Sequence, residues 1–454
     1  MQVTLNANHG SDVDVLVCGG GPAGVAAAVA AGRQGARTLL VERFGCLGGV
    51  ATNSLVGVWL GSYSRDGRFP VIAGVFQKVV DRLVAEGAAV SQTQDVISGT
   101  RHVGYGPNHG RTVPFEFEPC KRILDQFVGE AGARVLFFTT AIHPIVESRR
   151  IAQVLLHGKS GLTAVRPKTV VDATGDADLA FRAGCPTVKG RDEDALMTPA
   201  SVIFVLEDVD SAAFEAYCRD TGDVRFRRII SNLRETGEWP FSTDIIVGCE
   251  MPRRGTFFIN ALCHCGIDGT DDASLTRGMI EGRSEAHSLF QIMRKHMPGF
   301  SRCRLTQTSP AIGIRETRRI VGRYTLTDED LLAGQSFDDT VALTGYQWDM
   351  TDPKKPSHQP MDGKPITKPY TEIPYRCLVP QAIDNLIVAG RSISVSWNAL
   401  GPVRIMPCCF ATGQAAGAAA ALAAASGAAV GECDPHQLQN VLRSAGAIIQ
   451  PAIG

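Results

Sequence analysis

The first part of the chain alternates between apolar runs and a small-residue stretch in an order that predicts strand, turn, helix and strand. Val13-Asp14-Val15-Leu16-Val17-Cys18 is a short apolar run with the length and β-branched content of a buried strand. A glycine-dense turn, Gly19 to Gly24, opens the alanine-rich residues 25–31, and Arg37-Thr38-Leu39-Leu40-Val41 is a second apolar strand. Farther on, the pattern predicts helices over residues 71–86, 118–131 and 274–296. Strands are expected at 134–139, 151–156, 200–206 and 255–259. Residues 349–370, full of Pro, Lys, Asp and His, read as an irregular loop of the kind that forms lids or interfaces.

The turn carries the first chemistry. In Gly19-Gly20-Gly21-Pro22-Ala23-Gly24, Gly19 allows the tight turn, Gly21 lets backbone N–H groups approach a pyrophosphate, and Gly24 lets the helix pack on the strand. The helix start adds partial positive charge. Glu42 ends the second strand about 20 residues on, where a carboxylate accepts a hydrogen bond from a ribose hydroxyl. Strand, turn, helix and acid together predict a bound dinucleotide, with Pro22 and Ala23 in its cradle.

The segments beyond Glu42 distinguish one dinucleotide from another. Glu42-Arg43-Phe44-Gly45-Cys46-Leu47-Gly48-Gly49-Val50-Ala51-Thr52 places a second glycine pair just after the acid. Two further apolar strands end in glycine turns, Val170-Val171-Asp172-Ala173-Thr174-Gly175-Asp176 and Asn385-Leu386-Ile387-Val388-Ala389-Gly390-Arg391. With these segments the chain resembles FAD-dependent oxidoreductases that have a glutathione-reductase-like FAD domain. It is closest to a broad, catalytically diverse bacterial family with a Gly-Ile-Arg-Glu-Thr-Arg-Arg box, here Gly313 to Arg319, and an Arg-Ile-Met-Pro segment, here Arg404 to Pro407. The resemblance implies FAD held by Arg43, Cys46, Gly48, Gly49, Thr52, Thr174, Gly175, Asp176, Gly390 and Arg391 besides the first turn. It also implies an α/β fold: a Rossmann-like FAD domain discontinuous in sequence (10–55, 112–190 and 371–430), a cap or active-site segment (56–111), and an α+β substrate domain (191–370).

Composition narrows the setting. The 454 residues carry a net charge of −1, so no basic field attracts nucleic acid or an anionic membrane. Residues 1–10 lack a basic start and the following apolar run is too short for a signal peptide, which leads to an expectation of a cytoplasmic protein. Residues 411–430 approach the length of a membrane span but are built from Ala and Gly, with Gln414 and Ser426 inside. Ala gains little on transfer to lipid, so a tightly packed helix is expected. The 13 cysteines include no C-x-x-C pair, which argues against a disulfide framework, an iron–sulfur run or a zinc site; no metal is expected.

Candidate catalytic groups are fewer. A helix opening at Gly401-Pro402-Val403 would point N–H groups at a flavin ring, with Arg404 as a fixed cation. Arg315 and Arg319 would share one face of a short charged helix and clamp a carboxylate, or pair with Glu316. His102, His109, His264, His358 and Tyr375 are general-base candidates, of which His264 and Tyr375 lead. Cys46 has no second cysteine on the helix side of the glycine pair, which disfavours thiol–disulfide chemistry. With one nucleotide fingerprint and no second one for NAD(P)H, the expected activity removes two electrons from a small organic substrate, as a dehydrogenase or oxidase. Oxygen or another acceptor would take the electrons, and a homo-oligomer is left open. The alternatives are a flavin monooxygenase using NAD(P)H and oxygen, or a flavin electron-transfer subunit.

Overall fold

The computed structural model describes residues 6–92, 102–103 and 111–451. Its larger sheet is parallel at the centre and runs Arg134–Leu136, Thr38–Val41, Asn8–Cys18, Gly161–Asp172. The long strand Gly161–Asp172 divides its far edge. Its end pairs in parallel with Leu386–Val388, and its start pairs antiparallel with Arg150–Gly158, which pairs in turn with Thr140–Glu147. Val15, Leu16, Val17, Val170 and Val171 are fully buried, as strands covered on both faces require.

Register sets the site. Cys18 lies opposite Val41 on one side and Asp172 on the other, and Asp172 lies opposite Val388. Four strands therefore finish at one level, and the turns after them gather along the carboxyl edge where open parallel sheets bind ligands.

The helix Pro22–Arg33, buried from Pro22 to Ala31, crosses the sheet against a second small-residue helix, Met406–Ser426. A Cβ on Gly413 would come within 2.1 Å of the Ala23 carbonyl oxygen, and one on Gly417 within 2.1 Å of the Ala27 carbonyl oxygen. Both pairs are four residues apart, one helical turn, so glycine on one helix meets alanine backbone on the other at successive turns. Met406–Ser426 is long and apolar enough to cross a membrane, but 83 % of its apolar window is buried inside the fold. Its composition is accounted for by this contact.

The second sheet is antiparallel, in the order Arg304–Thr308, Phe204–Glu207, Phe257–Ile259, Gly248–Glu250, His102–Val103. The helix Asp272–His296 is capped by the Asp271 carboxylate, which accepts from the Ser274 N–H. Its residues Ala286, Leu289 and Met293 join Phe214, Phe257 and Phe300 in a separate core.

The expected domain limits need correction at two places. Thr340–Thr344 pairs with Thr371–Pro374, and Val341, Leu343 and Ile373 belong to the same core as Val15 and Ala27. The loop 349–370 is thus an excursion inside one hairpin that packs on the cofactor side. Within the described part of 56–111, Val75–Ala85 buries Phe76, Val79 and Leu83 in the first core, and His102–Val103 edges the second sheet. Tyr105 and His109 lie outside the described residues.

The interhelical contact can be tested directly. Gly417→Leu is expected to cost about 1–3 kcal/mol or more through overpacking, read as a lower urea midpoint. Gly129→Ala, on Phe117–Glu130 where an added Cβ meets nothing within 4 Å, is expected to be neutral or to stabilise by about 0.4–1 kcal/mol.

Candidate functional site

The phosphate turn is built by exclusion of side chains. Gly19 has φ +101°, and a Cβ there would lie 2.4 Å from the Ala173 carbonyl oxygen. One on Gly24 would lie 1.7 Å from the Gly19 oxygen. Gly21, the N-cap of Pro22–Arg33, is different: a Cβ on it would meet only the Gly49 Cα, at 3.9 Å. That open face, beside first-turn amides with no carbonyl one turn back, forms the cradle. The second glycine pair presses on it, since Gly48 N–H donates to the Gly20 carbonyl at 2.8 Å and a Cβ on Gly49 would lie 2.8 Å from the Gly21 Cα.

Glu42 has a task beyond the expected ribose contact. It is buried, its Oε2 accepts from the Gly20 N–H at 2.6 Å, and its Oε1 accepts from the Phe44 N–H at 2.8 Å. Burial pushes its pKa up while the two N–H donors oppose that rise. A carboxylate has about four acceptor sites, so two remain for a ribose after the turn is fixed.

A cavity of about 410 Å³ runs along this edge. Among the expected cofactor residues, Gly19, Gly21, Pro22, Ala23, Glu42, Arg43 and Gly49 line it from the first turns. Thr174, Gly175, Asp176, Gly390, Arg391 and Arg404 line it from the later ones. Asp172, buried and with its pKa raised by burial, accepts from Thr174, Leu179 and Ala180 amides and so folds the Thr174–Asp176 turn onto Asp178–Arg182. Arg391 Nη2 donates to Asp176 Oδ1 at 2.7 Å. Arg404 Nη2 donates to the Asp349 carboxylate at 2.8 Å and to its carbonyl at 2.7 Å. The loop bearing Asp349 is pinned by Arg65, which donates to the Tyr346 and Lys368 carbonyls and to Thr371 Oγ1; burial lowers its pKa to about 9.

Other expected residues lie outside the lining. Gly24, Gly48 and Thr52 brace the turns, Thr52 by donating to the Leu47 carbonyl at 2.7 Å. Cys46 packs behind Asn53. Gly401 and Val403 do not open the long helix. They form a separate turn, Leu400–Val403, in which Gly401 abuts the Asp349 backbone, and the long helix starts anew at Met406 with Pro407 in its first turn. Tyr375 is buried and spends its hydroxyl on the Val430 carbonyl at 2.6 Å. His264 packs under Asp272–His296 with Nδ1 3.3 Å from Glu285 Oε2; burial and nearby Arg315 push its pKa down. His358 is exposed in the 349–370 loop. His102 pairs through its backbone with Cys249 at the sheet edge.

The charged helix expected near Arg315 is absent. The box runs without helix into the strand Arg318–Ile320, and Arg315 and Arg319 reach separate partners instead of forming one clamp. Arg315 donates to the Pro199 carbonyl at 2.5 Å and to Asn260 Oδ1 at 3.3 Å. Arg319 and Glu316 form a buried ion pair at 2.6 Å. Glu316 also accepts from the Thr198 N–H and Trp397 Nε1, and Arg319 donates to the Gly190 and Val395 carbonyls. Thr317 and Arg318 bind Asp176 and Asp178. Helical spacing misread the box because most of the buried partners are distant in sequence.

Among the lining residues that the sequence did not single out are Asn53 and Ser54, Thr139 to Ala141, Leu275 and Met279, and Pro310 to Ile312 with Ile314. The apolar run before the box was the available signal. Three buried donors on lining residues have no partner among the described residues: Asn53 Nδ2, Arg391 Nε and Arg404 Nε. An open glycine cradle, a buried acid and unpaired N–H donors on lining residues suit a long, anionic dinucleotide.

The chain matches the FAD dependent oxidoreductase family over residues 14–442 and belongs to it. It is an enzyme, and its cofactor is FAD. A thiamine thiazole synthase of Aeropyrum pernix is 33 % identical over 174 residues, 36 % of this chain and 54 % of that protein, so the chain spans about half the length of the curated relative it matches. Among solved structures, a geranylgeranyl bacteriochlorophyll reductase-like protein of Thermoplasma acidophilum is 14 % identical, with 96 % of this chain and 83 % of that one covered and a TM-score of 0.47. A myxobacterial chondrochloren halogenase is 12 % identical, with 96 % and 79 % covered and a TM-score of 0.47.

Glu42→Ala is expected to weaken FAD binding by about 1.5–3 kcal/mol, the worth of a hydrogen bond to a charged group, measured by titrating apoprotein with FAD. An unchanged Kd would remove Glu42 from FAD binding, both through the turn and through a ribose contact. Arg319→Met strands a buried carboxylate and is expected to cost about 3–5 kcal/mol in chemical denaturation, with Glu316→Leu/Arg319→Met less damaging than the single change.

Proposed function

We propose that the protein removes two electrons from a C–H bond next to N, O or C in a small organic molecule, with FAD as the immediate acceptor and oxygen or another oxidant downstream. The observation that carries this reading is the mixed lining of the cavity. Turn residues, Glu42 and Arg43 share the lining with the apolar Met279, Pro310, Ala311, Ile312 and Met406, and Arg404 lines it too. A dry apolar wall lets a substrate carbon lie against a flavin and excludes water that would compete for the site. The chain has no second G-x-G-x-x-G in a strand–turn–helix setting, which favours electrons arriving from the substrate over a bound nicotinamide. FAD supplies the electron-accepting ring when bound.

The chain's own residues supply position and charge. The Gly21 cradle and the first helix start receive phosphate, and Glu42 receives the ribose. Arg404 provides a cation toward the ring end, moderated by Asp349. Stabilising negative charge that grows on reduction is the main electrostatic task of such a site. No histidine lines the cavity among the described residues, so the reading relies on transfer from carbon without assigning a protein base.

Two measurements test it. Anaerobic mixing with a metabolite panel, with and without NADPH, is expected to bleach the flavin with an organic substrate alone; bleaching by NADPH only would overturn the reading. Spectroelectrochemistry is expected to give Arg404→Met a midpoint lower by tens of millivolts and Asp349→Asn a higher one, since about 1.4 kcal/mol corresponds to 30 mV for two electrons. Equal midpoints in all three proteins would remove Arg404 from this role.

A further inference from the structure

Asn53 comes just after the short turn Gly49–Ala51 and is only 6 % exposed, yet it lines the cavity. Its main chain is fixed on both sides: its N–H donates to the Gly49 carbonyl at 2.7 Å, and its carbonyl accepts from the Ala311 N–H at 3.0 Å. The neighbouring Ser54 Oγ donates to the Ile312 carbonyl at 3.4 Å. Asn53 is thus tied both to the Gly49 turn beside the cradle and to the apolar wall.

The side chain is aimed as well. Cys46 Sγ lies 3.3 Å from Asn53 Oδ1. Burial pushes the Cys46 pKa up, so the thiol keeps its proton at neutral pH and donates, with Asn53 Oδ1 the nearer acceptor and Thr52 Oγ1 farther off at 3.8 Å. Sulfur is a weak acceptor, which turns the amide so that oxygen faces Cys46 and nitrogen faces away. Asn53 Nδ2 has no partner among the described residues. A buried donor without a partner, set in the lining of a ligand cavity, calls for an acceptor on the ligand.

We infer that Asn53 Nδ2 donates a hydrogen bond to the redox-active ring of FAD, and that the Cys46 thiol is the positioning residue that holds the amide in that orientation. The placement at the ring end rests on the apolar wall that also supports the proposed function. The donor favours the electron-rich reduced ring over the oxidised one, so it raises the midpoint potential. This gives Cys46 a role that needs neither a disulfide nor a thiolate.

The test uses FAD-loaded protein and a chemical reductant with no substrate, so it stands apart from the substrate reading. Asn53→Leu is expected to shift the two-electron equilibrium about tenfold toward the oxidised form, a midpoint about 30 mV lower, with an altered visible spectrum of the oxidised flavin. Asn53→Asp, which keeps the volume and the acceptor for Cys46 but replaces the donor with an acceptor, is expected to lower it further. Cys46→Ala is expected to shift it in the same direction by less, and Cys46→Ser to restore it. Unchanged midpoint and spectrum in Asn53→Leu overturn the inference, as does Cys46→Ser behaving like Cys46→Ala. Should Asn53→Leu fail to fold, Asn53→Asp decides by the same readings.

Discussion

Close backbone contact between Pro22–Arg33 and Met406–Ser426 is the constraint on which the rest of the site depends. Where Gly413 and Gly417 admit the carbonyls of Ala23 and Ala27, two helices that begin at opposite ends of the chain come to start beside one cavity. Ala23 and Met406 both line it. Each helix start carries proline in its first turn, where a missing N–H costs nothing and the fixed φ suits the helix, and each contributes partial positive charge. Side chains larger than glycine at these crossings would part the helices and widen the space between Gly21 and Arg404. The strong cations are held in check by the same logic. Arg391 is paired with Asp176 and Arg404 with Asp349, so the site offers directed donors without a large unbalanced charge.

The box Gly313 to Arg319 links the two sheets by sending successive residues in different directions. Arg315 reaches Pro199 and Asn260 on the side of the second sheet, and Thr317 and Arg318 reach the Asp176 turn. Glu316 and Arg319 fill the seam between them with a fully hydrogen-bonded ion pair. A buried pair of this kind adds little net stability over apolar packing but is intolerant of losing one partner. It therefore fixes how the apolar wall stands relative to the phosphate turn.

How much was legible in the sequence depends on the range of the interactions involved. The first strand, turn and helix were readable because Gly19, Gly21, Gly24 and Glu42 act within one βαβ unit. The residue types at 170–176 and 385–391 pointed to the same edge of the sheet, and both segments reach it. The amphipathic helices were found within a few residues of their limits, for example 118–131 against Phe117–Glu130. The box was misread as a helix because local spacing cannot reveal that Glu316 pairs with Trp397. Gly401 and Tyr375 were given chemical roles from their position beside flavin segments, whereas close packing on Asp349 and a bond to Val430 decide what they do. Asn53 was passed over because nothing in its neighbours' identities shows that a thiol fixes one end of its amide and leaves the other bare.

The slot taken by Leu386–Val388 beside Val170–Asp172 has a consequence for the order in which the protein comes into being. A ribosome releases the central strands of the sheet long before this one, so the nascent chain carries an open parallel edge and an uncovered alanine face on Pro22–Arg33 through most of its synthesis. Such surfaces recruit wrong partners. Nothing local closes them; the strand at 386–388 and the helix that begins at Met406 must both emerge first. Cofactor capture is therefore a late event in the life of each molecule, and the interval before it is when chaperones and proteases have their best access to the chain.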